Sequence, residues 1–144
     1  MLSQVQFKFS RVNRDHAGTL LSDMTTINSH HDLIAWQEAI RLVEIVYRDT
    51  SRFPREETFG LKTQMRRAAV SVPSNIAEGS ARKTTGELIQ FLGIARGSLA
   101  ELETQFVLAE RLGFLVETKD AITQVNRVGK LVSALMRSLQ RRAA

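Results

Sequence analysis

From Leu88 to Ala109, apolar residues recur alternately four and three positions apart: Leu88, Leu92, Ala95, Leu99, Leu102, Phe106 and Ala109. A strand alternates its faces every second residue and cannot present that period to a core. The period is that of helices packed about 20° from parallel in a bundle. Thr84 and Glu87, three apart, form a capping box that starts this helix, and Gly113 supplies its C-terminal stop. Gly93 and Gly97 lie on another face. Each costs up to about 1 kcal/mol of helix propensity, so close approach of a neighbouring backbone is expected there.

Three further amphipathic patterns accompany this one. Asp32 is placed to cap a first helix whose apolar line is Leu33, Trp36, Ile40, Val43 and Tyr47, with Gln37, Glu38, Arg41, Glu44 and Arg48 on the other side. Phe53-Pro54 ends it, because a residue before proline avoids helical angles. Arg55-Glu56-Glu57 then puts acid at the positive end of a second helix, Thr58 to Ala81, which buries Leu61, Met65, Ala68, Val72, Ile76 and Gly79. Pro73 lies inside that pattern. Either it kinks the helix, or it breaks it and begins a new one at its first turn. The apolar period continues in register past Pro73, which favours the kink, and Ser71, Ser74 and Asn75 stand ready to satisfy the freed backbone groups. A fourth helix, about Glu117 to Arg141, buries Val125, Val128, Val132, Leu135 and Leu139.

The expected fold class is all-α: an antiparallel up-down-up-down four-helix bundle, its second helix kinked at Pro73. A chain of 144 residues can bury one such core without disulfides, and two prolines with 6% aromatics argue against an all-β domain. Residues 1–23 carry no sustained period, and Met24 opens a stretch that reads as a natural start. The expected organisation is a loosely ordered N-terminal extension over residues 1–28 and a bundle over residues 29–144. There is no cysteine, no apolar run longer than about five residues (Phe91 to Ala95, counting Gly93) and no secretory leader, so the expectation is a soluble, cytoplasmic protein without membrane contact.

Catalysis finds no foothold. There is no glycine-rich phosphate loop, no HExxH and no histidine beyond His31. His30 and His31 are adjacent and project to different sides of any element, Glu101 and Glu103 leave their helix on different faces, and the Glu-x-x-His sets of di-iron bundles are missing. No catalytic residue, metal or cofactor is expected.

The charge is more informative. A net charge of +5 favours acidic partners, nucleic acid first, although the same charge also keeps a small protein in solution. Its distribution is uneven. Between Gly60 and Lys83 the chain carries Lys62, Arg66, Arg67, Arg82 and Lys83 against only Glu78. Arg67 is equally suited to pair with Glu101 or Glu103, and Asn75 with Glu78 suits a buried polar pair. On the fourth helix Arg127, Lys130, Arg137 and Arg141 form a stripe interrupted only by Ala134, and no acid follows Ala121. Arg82, Lys83 and that stripe are the better phosphate candidates, since cations on exposed backbone neutralise phosphates without reading bases. With Trp36 and Tyr47 on the buried line, base stacking is not expected.

The segments HHDLIAWQEAIRLVEIVY, FPREETFGLKTQMRRAAVSVPSNIAEGSARKTTGELIQFLGIARGSLAELETQ and AERLGFL resemble the four-helix-bundle family encoded by intervening sequences within bacterial 23S rRNA genes. That family includes the accessory proteins of diversity-generating retroelements. The resemblance is strong over residues 31–115, and in the fourth helix it is one of pattern only. It implies a homopentameric barrel of antiparallel bundles without enzymatic activity. In retroelement members a positive surface binds nucleic acid and a reverse transcriptase, whereas intervening-sequence members have no assigned role. The expectation is a self-assembling bundle that binds RNA or DNA backbone through Lys62, Arg66, Arg67, Arg82, Lys83, Arg127, Lys130, Arg137 and Arg141. The alternative is a structural or protein-interaction oligomer whose basic face meets an acidic protein or a reverse transcriptase. A small-molecule site in the central channel of the barrel stays open.

Overall fold

The computed structural model of the protein describes residues 29–30 and 33–143. The expected extension over residues 1–28, together with His31 and the capping role read for Asp32, lies outside the described residues. Four helices carry the rest: α1 (Ile34–Thr50), α2 (Leu61–Ser80), α3 (Thr85–Arg111) and α4 (Lys119–Ala143), with a 3-10 turn (Arg55–Glu57) between α1 and α2. Among the described residues there is no strand, and the helices pack as an all-α four-helix bundle. Each helix packs against its two neighbours in the cyclic order α1, α2, α3, α4, so the α1/α2 and α3/α4 seams lie on opposite sides. No helix of the described residues is long and apolar enough to cross a membrane.

Helix α3 follows its sequence pattern closely. The Thr84 hydroxyl oxygen accepts from the Glu87 N–H (3.2 Å) and donates to Glu87 Oε2 (2.8 Å), which satisfies a free donor of the first turn. Leu92, Ala95, Leu99, Leu102, Phe106 and Ala109 are all buried. At the other end Gly113 adopts φ 78°, where a Cβ would be strained. That turn lets the Gly113 N–H reach the Glu110 carbonyl (3.0 Å) and the Phe114 N–H reach the Ala109 carbonyl (2.9 Å), a Schellman motif. Phe114 then packs at a tilt against buried Phe53, 5.5 Å between ring centroids, which ties the α3–α4 connection to the α1–α2 connection. The Thr118 hydroxyl donates to Glu110 Oε2 across the turn (2.6 Å).

The line read for α1 is displaced by one residue, about 100° of helix. The buried positions are Ala35, Glu38, Ala39, Leu42, Val46 and Thr50. Leu33, Trp36, Ile40 and Val43 are half-buried and Tyr47 is 43% exposed. Size misled the pattern: the small Ala35 and Ala39 let the neighbouring helices approach, and the larger side chains cover the flank. Trp36 packs edge-on against His30, 5.2 Å between centroids. Glu38 is buried because Gln124 of α4 donates its Nε2 hydrogens to the Glu38 carbonyl oxygen (2.9 Å) and to Oε2 (2.8 Å), fastening α1 to α4.

Helix α1 stops at Thr50, earlier than Phe53-Pro54 requires. The Thr50 hydroxyl donates to the Val46 carbonyl (2.7 Å) and that of Ser51 to the Arg48 carbonyl (2.6 Å), using up last-turn acceptors. Helix α2 begins at Leu61 because residues 55–57 form the 3-10 turn, and Glu57 Oε2 accepts from the Leu61 N–H (2.8 Å). Helix α2 continues unbroken through Pro73, so no new helix starts there. Asn75 Nδ2 donates to the Ser71 carbonyl (2.8 Å) and hydroxyl (2.9 Å) rather than pairing with Glu78, which is exposed and bonded to Arg82. The Ser71 and Ser98 hydroxyls meet at 2.9 Å, and buried Gly79 abuts Leu88 and Phe91. Between these two contacts α2 ascends in sequence while α3 descends.

The expected close approach at Gly93 and Gly97 does not occur within the protomer: a Cβ at either position meets nothing within 4 Å. The glycine held tight against another helix is Gly79 instead, facing Leu88 and Phe91. Alanine at both Gly93 and Gly97 is therefore expected to raise the stability of the protomer by up to about 2 kcal/mol, the helix-propensity gain. Urea unfolding reads this directly, and a net loss would show that another polypeptide packs on this face.

Candidate nucleic-acid interface

The nine basic residues singled out from the sequence separate into three groups. On α2, Arg66 is a structural residue. Its Nε donates to Thr50 Oγ1 (2.9 Å), its Nη2 to the Tyr47 carbonyl (3.3 Å), and its guanidinium lies 4.3 Å from the centroid of the Tyr47 ring. It thereby closes the C-terminus of α1, where carbonyls lack partners. Lys62 is half-buried beside it. Arg67 is exposed and forms no ion pair among the described residues, so the expected bridge to Glu101 or Glu103 is not made within the protomer. It lines a shallow groove of about 500 Å³ with Thr63, Val70, Ser71 and Ser74.

In the α2–α3 connection, Arg82 is held by Glu78 (3.1 Å), one turn back, and lies 5.0 Å from the centroid of the Phe91 ring. Both members of that ion pair are well exposed, so their attraction is weak and salt-screened. Lys83 is exposed and makes no ion pair among the described residues.

The α4 stripe divides. Arg127 reaches Glu38 Oε1 (3.4 Å), which Arg41 also approaches at 3.9 Å, while Gln124 donates to Oε2. The charge of Arg127 is thus partly spent on a buried carboxylate. Lys130 and Arg137, seven residues apart, stand on the wall of an open groove of about 520 Å³ along the α3/α4 seam. Arg96 of α3 forms the opposite wall, its Nη1 4.0 Å from Met136 Sδ. None of the three cations forms an ion pair among the described residues, although Glu103 also lines the groove. The floor is low because Gly129 and Ala100 lie there, and a Cβ on Gly129 would meet nothing within 4 Å. Arg141, one turn beyond Arg137, is exposed. Arg96 is the residue the sequence pattern missed. Its signal was position: it directly follows heptad residue Ala95, on the side of α3 that turns towards α4.

Chemically, the groove offers converging positive charge with hydroxyl and amide donors from Ser133 and Asn126. Among the described residues no three His, Cys, Asp or Glu side chains gather as a metal-ion site. The Lys62–Arg67 segment and the α3/α4 groove belong to different seams, so the sequence candidates do not form one surface.

A family model described as 23S rRNA-intervening sequence protein matches residues 31–134. The match takes in α1, α2, α3 and α4 as far as residue 134; it includes Arg96 and Lys130 and stops short of Arg137 and Arg141. No curated protein matches the chain.

Proposed function

We propose that this chain, which belongs to the 23S rRNA-intervening sequence protein family, is a non-enzymatic, self-assembling bundle that binds the phosphate backbone of RNA or DNA. The observation that carries this reading is the convergence of Arg96, Lys130 and Arg137, none of them in an ion pair, on the α3/α4 groove. Cations that have no internal carboxylate to satisfy them exchange water and counterions for phosphate at little cost. Self-assembly is supported by exposed apolar side chains on and just beyond α3, where Ile94, Leu108 and Leu112 are 51%, 44% and 60% exposed. In a pentamer, the number the family resemblance implies, each groove would be repeated five times and weak contacts would add by avidity.

The test is fluorescence anisotropy of a labelled structured RNA and a matched duplex DNA across roughly 50 to 200 mM salt, where three phosphate contacts per protomer predict an affinity loss of about 40-fold. The variant Lys130→Glu, Arg137→Glu is expected to abolish most of the binding and Arg82→Glu, Lys83→Glu to weaken it less, since Arg82 is already engaged by Glu78. No binding at the lowest salt would overturn the proposal. The favoured reading would then be a structural oligomer whose basic face meets an acidic protein, a reverse transcriptase among the options.

A further inference from the structure

We infer that the α3/α4 groove is a seat for one strand of a double helix, in preference to an unpaired strand; this rests on the nucleic-acid reading above and narrows its ligand. Two features of the groove favour a paired ligand, and a third sets where its backbone lies. No aromatic side chain lines it. Phe106, the bulky ring of α3, is fully buried, Phe91 lies under Arg82, and exposed Tyr47 and Phe59 belong to α1 and the α1–α2 connection. An unpaired strand gains its affinity from bases stacked on such rings, whereas a duplex keeps its bases stacked within itself and offers only backbone.

The second feature is linear charge. Lys130, Arg137 and Arg141 follow one face of an uninterrupted helix, spanning eleven residues or about 16 Å. Over that length a duplex presents roughly ten phosphate charges and a single strand in the same geometry roughly five. A site with nothing but cations takes the ligand of higher charge density. The ridge runs along one continuous helix, and a duplex, stiff over roughly 150 base pairs, lies along it without being ordered by binding. A flexible strand must be straightened first.

The third feature is asymmetry. Arg96 and Arg137 occupy the end of the seam marked by the Arg96–Met136 contact, and Glu103, about two helical turns further along α3, lies on the side of Asn126 and Lys130. The backbone is thus held most strongly at the Arg96–Arg137 end, on towards Arg141, while Glu103 offsets part of the attraction of Lys130 at the other. Glu103→Gln removes the repulsion without disturbing the fold, since Glu103 is exposed and makes no ion pair or hydrogen bond among the described residues.

The experiment titrates full-length protein into labelled duplex RNA, duplex DNA and each of their separated strands, all of mixed sequence and roughly 20 nucleotides long, across roughly 50 to 200 mM salt. Both duplexes are expected to bind at least about tenfold more tightly than their strands, with a steeper dependence on salt, a slope of about 0.9 per contact against about 0.7. Glu103→Gln is expected to tighten duplex binding severalfold, a gain that a misfolded variant cannot produce. A preference between the two duplexes would identify the source; equal affinity would mark recognition of duplex charge density irrespective of A-form or B-form geometry, and either supports the inference. Single strands that bind as tightly as duplexes would overturn it and leave the nucleic-acid reading standing. No binding by any of the four ligands would overturn both.

Discussion

Replacing Phe106 by alanine is expected to destabilise the protein by about 4 kcal/mol, within the range for removing a buried ring. Phe106 heads the fully buried side chains by volume and shows no accessible surface. It sits on α3, the longest helix, which shares its most extensive interface with α2 and also packs on α4. The lost ring takes its transfer free energy with it, and the cavity left behind adds to the cost because helices fixed at four seams close it only in part. For a domain of this size the melting temperature is expected to fall by about 10 °C or more. The control is next door: Val107, the following residue, is 45% exposed, and Val107→Ala is expected to change stability by less than about 0.5 kcal/mol. Urea unfolding of both variants, at one protein concentration, separates the two. If Phe106→Ala costs no more than Val107→Ala, the buried line of α3 is misplaced.

That line was legible in the sequence because α3 obeys one rule throughout. Its apolar residues keep a strict four-three spacing, its cap uses the Thr84–Glu87 box, and its end uses Gly113, so period, cap and stop agree. Helix α1 shows what the same reading misses. There the period was right and its phase wrong, because burial followed Ala35, Ala39 and a hydrogen-bonded Glu38 rather than the larger Trp36 and Tyr47. No local rule reveals that a glutamate is internal when its partner, Gln124, lies 86 residues away. The boundary of α1 failed for a related reason. Thr50 and Ser51 end the helix by drawing on its own carbonyls, and Arg66 completes the closure from α2.

The candidate site was legible in residue type and only partly in role. Counting cations on α4 found Lys130, Arg137 and Arg141, which the fold leaves exposed. Counting cannot say which charges are already answered. Arg127 shares the stripe and meets Glu38, Arg66 meets a hydroxyl, a carbonyl and a ring, and Arg82 meets Glu78. What distinguishes Lys130 and Arg137 is the absence of such partners among the described residues, together with Arg96 facing them from another helix. Arg96 stands alone among α3 apolar and small residues, where a one-helix view gives it no company. The groove exists only once α3 and α4 are side by side.

Gly79→Ala is the second large effect expected, a net loss of up to about 2 kcal/mol although alanine is the better helix former. A Cβ on Gly79 would lie 2.7 Å from Phe91 Cβ and 3.0 Å from Leu88 Cδ1. The Leu88 methyl group ends a flexible side chain and can rotate away. Phe91 Cβ is fixed to the α3 backbone and cannot, so the two helices must part locally. Overpacking of that kind costs about 1 to 3 kcal/mol, against a propensity gain of about 1 kcal/mol. The opposite sign is expected at Gly93 and Gly97, where the same methyl group meets open space, so the three glycines of one seam and one face form an internal comparison. Leu88→Ala in the Gly79→Ala background is expected to recover little, because it removes the contact that was already free to move. The lesion lies at the α2–α3 seam, away from Lys130 and Arg137, and it displaces the connection that carries Arg82 and Lys83. Below the unfolding transition, nucleic-acid affinity measured on Gly79→Ala is therefore expected to stay within about twofold of the parent, a change of under roughly 0.5 kcal/mol. A larger fall would move the phosphate contacts from the α3/α4 groove to the α2–α3 connection.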